Sequence, residues 1–157
     1  MIRFIFDKLG KGHSDLFIKI DNFPQKLFIA DSYYLYDFLQ VDFKNLKEES
    51  QPQETVIEFI NFWIERVQNT ENGQQIFLPF DLSDQYIGGL VLEKTKKAFK
   101  IKKVFTEEIH GYQVSKSNLD QLIIDRKVNF KTEESDWLID ELQISAGLNW
   151  SINELKN

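Results

Sequence analysis

The chain has 157 residues, 42% of them hydrophobic and 28% charged, with no cysteine and a formal charge of −6. A chain of this length buries roughly two thirds of its unfolded surface without covalent staples, and residues 1–157 are expected to form one domain. Disulfides, thiolate metal sites and a cysteine nucleophile are excluded, and no stretch approaches the roughly 20 apolar residues of a membrane helix.

Met1 leads through Ile2, Arg3, Phe4, Ile5 and Phe6 to Asp7, a run too short and too soon charged for a signal peptide, so the cytoplasm is the expected compartment. Residues 2–6 and 16–21 are short β-prone runs on either side of Lys8-Leu9-Gly10-Lys11-Gly12-His13-Ser14, and predict a hairpin. Phe23-Pro24 breaks the chain before a third run, Leu27–Ala30, which completes a meander. Over residues 33–46, Leu35, Phe38, Leu39 and Leu46 fit a helix better than Tyr34, Tyr36 and Phe38 fit a strand. The clearest helix is residues 50–69. Ser50 and Gln53 have capping-box spacing, and Val56, Ile57, Ile60, Trp63, Ile64 and Val67 form one apolar arc. Phe62 falls outside that arc, among Glu58, Glu65 and Arg66, so either a second element covers it or it contacts a partner.

Asn72-Gly73 introduces three closely connected runs, Gln75–Phe80, Tyr86–Glu93 and Ala98–Phe105, which antiparallel pairing accommodates most simply. Gly88-Gly89 predicts a bulge or a close backbone approach within the second. Ser117 and Asp120 repeat the cap spacing before a short helix, Val128–Phe130 reads as a strand, Asp136–Gln143 as a helix, and Ser151 with Glu154 as the cap of a terminal turn. The order does not alternate as in a doubly wound protein. It predicts an α+β fold, an antiparallel sheet covered by helices on at least one face.

Residues 1–90 carry a net −6, residues 91–105 a net +5 and residues 106–157 a net −5. The basic strip, Lys94, Lys96, Lys97, Lys100, Lys102 and Lys103, contains no Arg and has acidic flanks, which disfavours a nucleic-acid reader. Protection of an edge strand or a solvated hairpin is its simplest role, and binding to an acidic protein surface is the alternative.

Gly10-Lys11-Gly12-His13-Ser14 matches neither GxxxxGK[ST] nor GxGxxG, although its backbone NH groups suit an anion. His13 and His110 have no metal-ligand spacing and accompany no GxSxG turn, so no catalytic, cofactor or metal residue is assigned. Asn149-Trp150-Ser151 is read as a chance match to the glycosylation sequon. Asp81 and Asp84 flank Ser83 between two strands, where such residues make turn hydrogen bonds and also offer carboxylates to a partner. On an extended segment Glu107 and Glu108 face opposite ways.

The run Leu78-Pro79-Phe80-Asp81-Leu82-Ser83-Asp84-Gln85-Tyr86-Ile87-Gly88-Gly89, followed by the basic hairpin and His110-Gly111-Tyr112-Gln113-Val114-Ser115, resembles the small immunity proteins of bacterial polymorphic and contact-dependent toxin systems. The resemblance is one of texture over residues 75–117. It implies a non-enzymatic domain that binds and neutralises a toxin, with a basic toxin domain as partner, no cofactor and no membrane. Asp81, Asp84, Tyr86, Glu107, Glu108 and Phe62 are the expected contact residues. The alternatives are a small hydrolase or metal-dependent enzyme that uses the acidic turns with a histidine, and a scaffold that forms homodimers.

Overall fold

The computed structural model describes residues 1–21, 27–43 and 46–157, with the backbone alone at residues 135 and 136. It is an α+β fold. Strands β1 (Ile2–Phe6), β2 (Leu16–Ile20) and β3 (Leu27–Ala30) form one antiparallel sheet in that order, as the meander predicts. Strands β4 (Gln75–Leu82), β5 (Ile87–Lys94), β6 (Ala98–Thr106) and β7 (Lys131–Asp140) form a second antiparallel sheet, again in chain order. The helices are α1 (Leu35–Leu39), α2 (Gln51–Asn69), α3 (Leu119–Asp125) and α4 (Glu141–Lys156). None of them is long and apolar enough to cross a membrane. Helix α1 occupies only five residues of the 33–46 segment, and Phe23-Pro24 lies outside the described residues.

Helix α2 ties the two sheets together. Val56, Phe59, Ile60 and Trp63 are all buried, and Trp63 meets Phe4 of β1 edge to face at 4.8 Å. Its indole NH donates to the Pro79 carbonyl of β4 at 2.9 Å, so a side chain that packs on one sheet is hydrogen-bonded to the other. Phe62 is also buried, which corrects its reading as an outward contact residue. Phe38 of α1 covers it with a T-shaped contact at 5.2 Å, and the Arg66 guanidinium lies 5.4 Å from its ring. The helical spacing of Leu35, Phe38 and Leu39 marks the covering element, but nothing local in the pattern of α2 says that it is this element that covers Phe62.

The capping boxes fail for identifiable reasons. A 3₁₀ turn at Glu48–Ser50 runs directly into α2, leaving Ser50 in a helical conformation with no side-chain cap, while the Gln53 amide donates to the Leu155 carbonyl. At α3, Asp120 gives both carboxylate oxygens to Arg66 at 2.7 and 2.8 Å, and Ser117 donates to the Gln40 side chain at 2.9 Å.

The C-terminal third departs most from expectation. Residues 136–140, read as helical, belong to β7, and the strand expected at Val128–Phe130 begins only at Lys131. Pairing with β6 draws this segment into the sheet, and ion pairs follow. Lys103 pairs with Glu133 at 2.9 Å, and Lys94 with Glu141 at the start of α4 at 3.0 Å. Strand β6 therefore lies between β5 and β7, which overturns edge protection as the purpose of the basic strip.

Ser151 does not cap a terminal turn either. It is fully buried inside α4, where its hydroxyl donates to the Gly147 carbonyl and accepts from Phe4 NH, both at 2.8 Å. A Cβ on Gly147 would stand 2.2 Å from the Ile2 carbonyl oxygen. Glycine and serine thus let α4 close upon β1, satisfying a donor that an open edge would expose.

Candidate protein-binding groove

The hairpin loop before β2 and the β4–β5 turn approach each other, and their carboxylates have different fates. Asp15 is fully buried and accepts from Gly12 NH, Ser32 NH and the Ser32 hydroxyl, each at 2.8 Å. Asp31 accepts from Ser14 NH at 2.6 Å and lies 3.2 Å from His13 Nδ1. The anion for which the Gly10–Ser14 loop is suited is therefore supplied by the chain itself, through Asp15 and Asp31.

In the β4–β5 turn the Ser83 hydroxyl accepts from the NH groups of Gln85 and Tyr86 at 3.2 and 3.1 Å and sits 3.2 Å from the Tyr86 carbonyl. This is the turn chemistry expected of a serine here. Just before it, β4 carries a bulge. Pro79 pairs with Gly89 and Asp81 with Gly88, leaving Phe80 unpaired. The extra residue breaks the alternation of faces, so neighbouring Phe80 and Asp81 both line one groove. Gly89 permits the pairing, since a Cβ there would lie 2.3 Å from the Leu78 carbonyl oxygen. The close backbone approach expected of Gly88-Gly89 is present, whereas the bulge lies opposite them on β4 and not within β5.

Two grooves result, sharing Gln85 and Tyr86. The first, about 410 Å³, is walled by Phe28, Phe80, Tyr86 and Phe105 and carries Asp81, Glu107 and Glu133, with Lys103 as its cation. Lys103 is held by Glu133 and lies 4.7 Å from the Phe28 ring centre. The second, about 550 Å³, is bounded by His13, Asp31, Tyr33, Tyr34 and Asp84. The Tyr86 hydroxyl donates to Asp81 at 2.6 Å, and the Tyr34 hydroxyl donates to Asp84.

These contacts set the protonation of the site. Burial pushes the Asp81 carboxyl above the usual aspartate range, against the opposing effect of the Tyr86 hydrogen bond. Tyr86 is raised first by burial and then by its bond to Asp81. Tyr34 is pushed up to about 12, chiefly because its hydroxyl proton is held by Asp84. At neutral pH both tyrosines are neutral donors.

Of the six residues expected from sequence, Asp81, Asp84, Tyr86 and Glu107 converge on this double groove. Glu107 also receives Lys131 at 2.6 Å. Glu107 and Glu108 lie in a bend after β6 and not on an extended segment, and Glu108 accepts from Asn129 NH at 3.4 Å outside the groove. Phe62 leaves only an edge on a different cleft, beside the Arg66–Asp120 pair. The sequence reading missed Asp31, Tyr34, Phe28 and Glu133. Tyr34 meets Asp84 across 50 positions, and no local pattern encodes that.

His13 lines the second groove, stacked on Tyr33 at 5.7 Å, whereas His110 stacks on Tyr112 beyond β6. His13 with Asp31 has the form of a base and its orienting carboxylate, but the nearby Ser83 hydroxyl is spent within its own turn. Among the described residues no three His, Asp or Glu side chains are arranged to hold a metal ion. The chain matches no protein-family model, no curated protein and no solved structure.

Proposed function

We propose that this is a non-enzymatic protein-binding domain whose double groove receives a basic partner, and that it acts in the cytoplasm as an immunity protein that occludes a bacterial toxin domain. The observation that carries this reading is the convergence of Asp31, Asp81, Asp84, Glu107 and Glu133 upon aromatic walls, with Lys103 the single lysine among the described residues that line either groove. Carboxylates at the rim steer a cationic partner and fix its register, while the half-buried Tyr86 and Phe105 offer the flat, weakly hydrated surfaces from which binding hot spots are made.

The test is calorimetric titration of the basic domain of a toxin encoded beside this chain. Asp84→Lys combined with Glu107→Lys is expected to weaken binding by about 100-fold and to flatten its dependence on salt. Unchanged affinity, or no binding by the unsubstituted chain, would sink the proposal.

A further inference from the structure

Among the described residues no element covers the outer face of the β1–β2–β3 sheet beyond Trp150 of α4, whose ring lies 5.3 Å from the Arg3 guanidinium, and its side chains are sorted into rows by the strand register. Ile5 pairs with Phe17, and Phe17 with Ile29, so these three stand side by side across the sheet. Ile5 and Ile29 are 44% and 54% exposed, and Phe17 is half-buried. One step along the strands, about 6.8 Å away, the same face presents Arg3, Lys19 and Leu27, which are likewise paired across the sheet. One step the other way lies Asp7, whose backbone NH continues the ladder to the Asp15 carbonyl, with Asp31 following Ala30 on β3. The middle position of that row, Asp15, is withdrawn into its turn. Arg3 is paired with Asp21 at 2.5 Å, whereas Lys19 is exposed and has no ion pair among the described residues.

A basic row, an apolar row and an acidic row in that order form a self-complementary face. From this sorting we infer that a second copy of the chain docks on it, about a two-fold axis that runs across the strands along the Ile5–Phe17–Ile29 row. That axis lays each apolar residue on its own counterpart and reverses the strand direction, so the basic row of one copy faces the acidic row of the other. Lys19 then falls between Asp7 and Asp31 of the second copy. A two-fold axis parallel to the strands would instead set the basic rows against each other. The face is only about 10 Å wide between its outer strands, well short of the roughly 800 Å² per partner of a stable complex, so the dimer is weak and concentration-dependent.

Sedimentation equilibrium between about 10 μM and about 1 mM is expected to show the average mass rising from that of one chain towards that of two. Phe17→Arg, which sets two cations together on the axis, should hold the chain monomeric throughout. Ile29→Lys, at a more exposed position, should do the same and serves if Phe17→Arg disturbs the fold by circular dichroism. Lys19→Glu should weaken association by about tenfold or more, and adding Asp7→Lys should recover part of it, because Asp31 still opposes the new carboxylate. A single-chain mass at the highest concentration, or association indifferent to both apolar substitutions, would overturn the dimer and leave the face to another occupant. Association abolished by Phe17→Arg but not recovered by the charge swap would overturn the stated axis.

Discussion

The loop between β1 and β2 and the turn between β4 and β5 are both hairpin connections built on aspartate, yet they use it in opposite ways. In the first, Asp15 is sealed from water by three donors, two of them backbone NH groups, and holds the loop against the residues that follow β3. In the second, Asp81 is half-buried with one hydroxyl donor, Tyr86, and Asp84 is exposed, held by Tyr34 from across the groove. A carboxylate surrounded by backbone donors is a structural strut. One held by side-chain hydroxyls at a groove retains acceptor capacity for another molecule. The difference locates recognition at the β4–β5 turn rather than at the glycine-rich loop, although the loop looks more like a ligand site in sequence.

The largest effect should come from the strut. Asp15→Ala leaves Gly12 NH, Ser32 NH and the Ser32 hydroxyl without their acceptor and is expected to cost about 3 kcal/mol or more in urea unfolding. A loss below about 1 kcal/mol would mean that the Asp31–Ser14 bond holds the loop alone, and the contrast between the two turns would fall.

Tyr86→Phe should be milder, costing about 1 kcal/mol, because Asp81 is only partly removed from water and recovers some hydration. Its more specific signature is in titration. The Tyr86 bond lowers the Asp81 carboxyl, so its removal should move that carboxyl further up when followed by carboxylate NMR. A carboxyl that does not move would show that the hydroxyl has another role.

Much of this molecule was legible because local pattern and tertiary demand agreed. The β1–β2–β3 meander, the α2 helix and the first three strands of the second sheet each carry their own periodicity, and Gly88-Gly89 marked its close backbone approach. The end of the chain misled because its pattern serves a neighbour. Glu133 pairs with Lys103 of β6, and Gly147 and Ser151, poor choices for a helix interior, are there to meet β1. Within the groove, Asp81, Asp84 and Tyr86 lie on one turn and were found together. Asp31 and Tyr34 come from the other sheet's flank, so only the three-dimensional fold brings them in.

The smallest effect separates the two aspartates most cleanly, because it reverses sign. The Asp81 carboxyl is raised above 3.8 by burial, so the folded chain binds its proton more tightly than the unfolded chain does. Stability from this group is complete below that value, declines as pH rises from it through the raised folded value, and is level thereafter. Asp81→Asn does not titrate and keeps an acceptor for the Tyr86 hydroxyl. It should therefore match the original chain near pH 3 and exceed it in stability at pH 7, by urea unfolding at both. Asp15→Asn replaces one carboxylate oxygen by an amide donor in a site made wholly of donors, and should be destabilising at pH 7. An Asp81→Asn chain less stable than the original at pH 7 would show that the charge at Asp81 is structural after all.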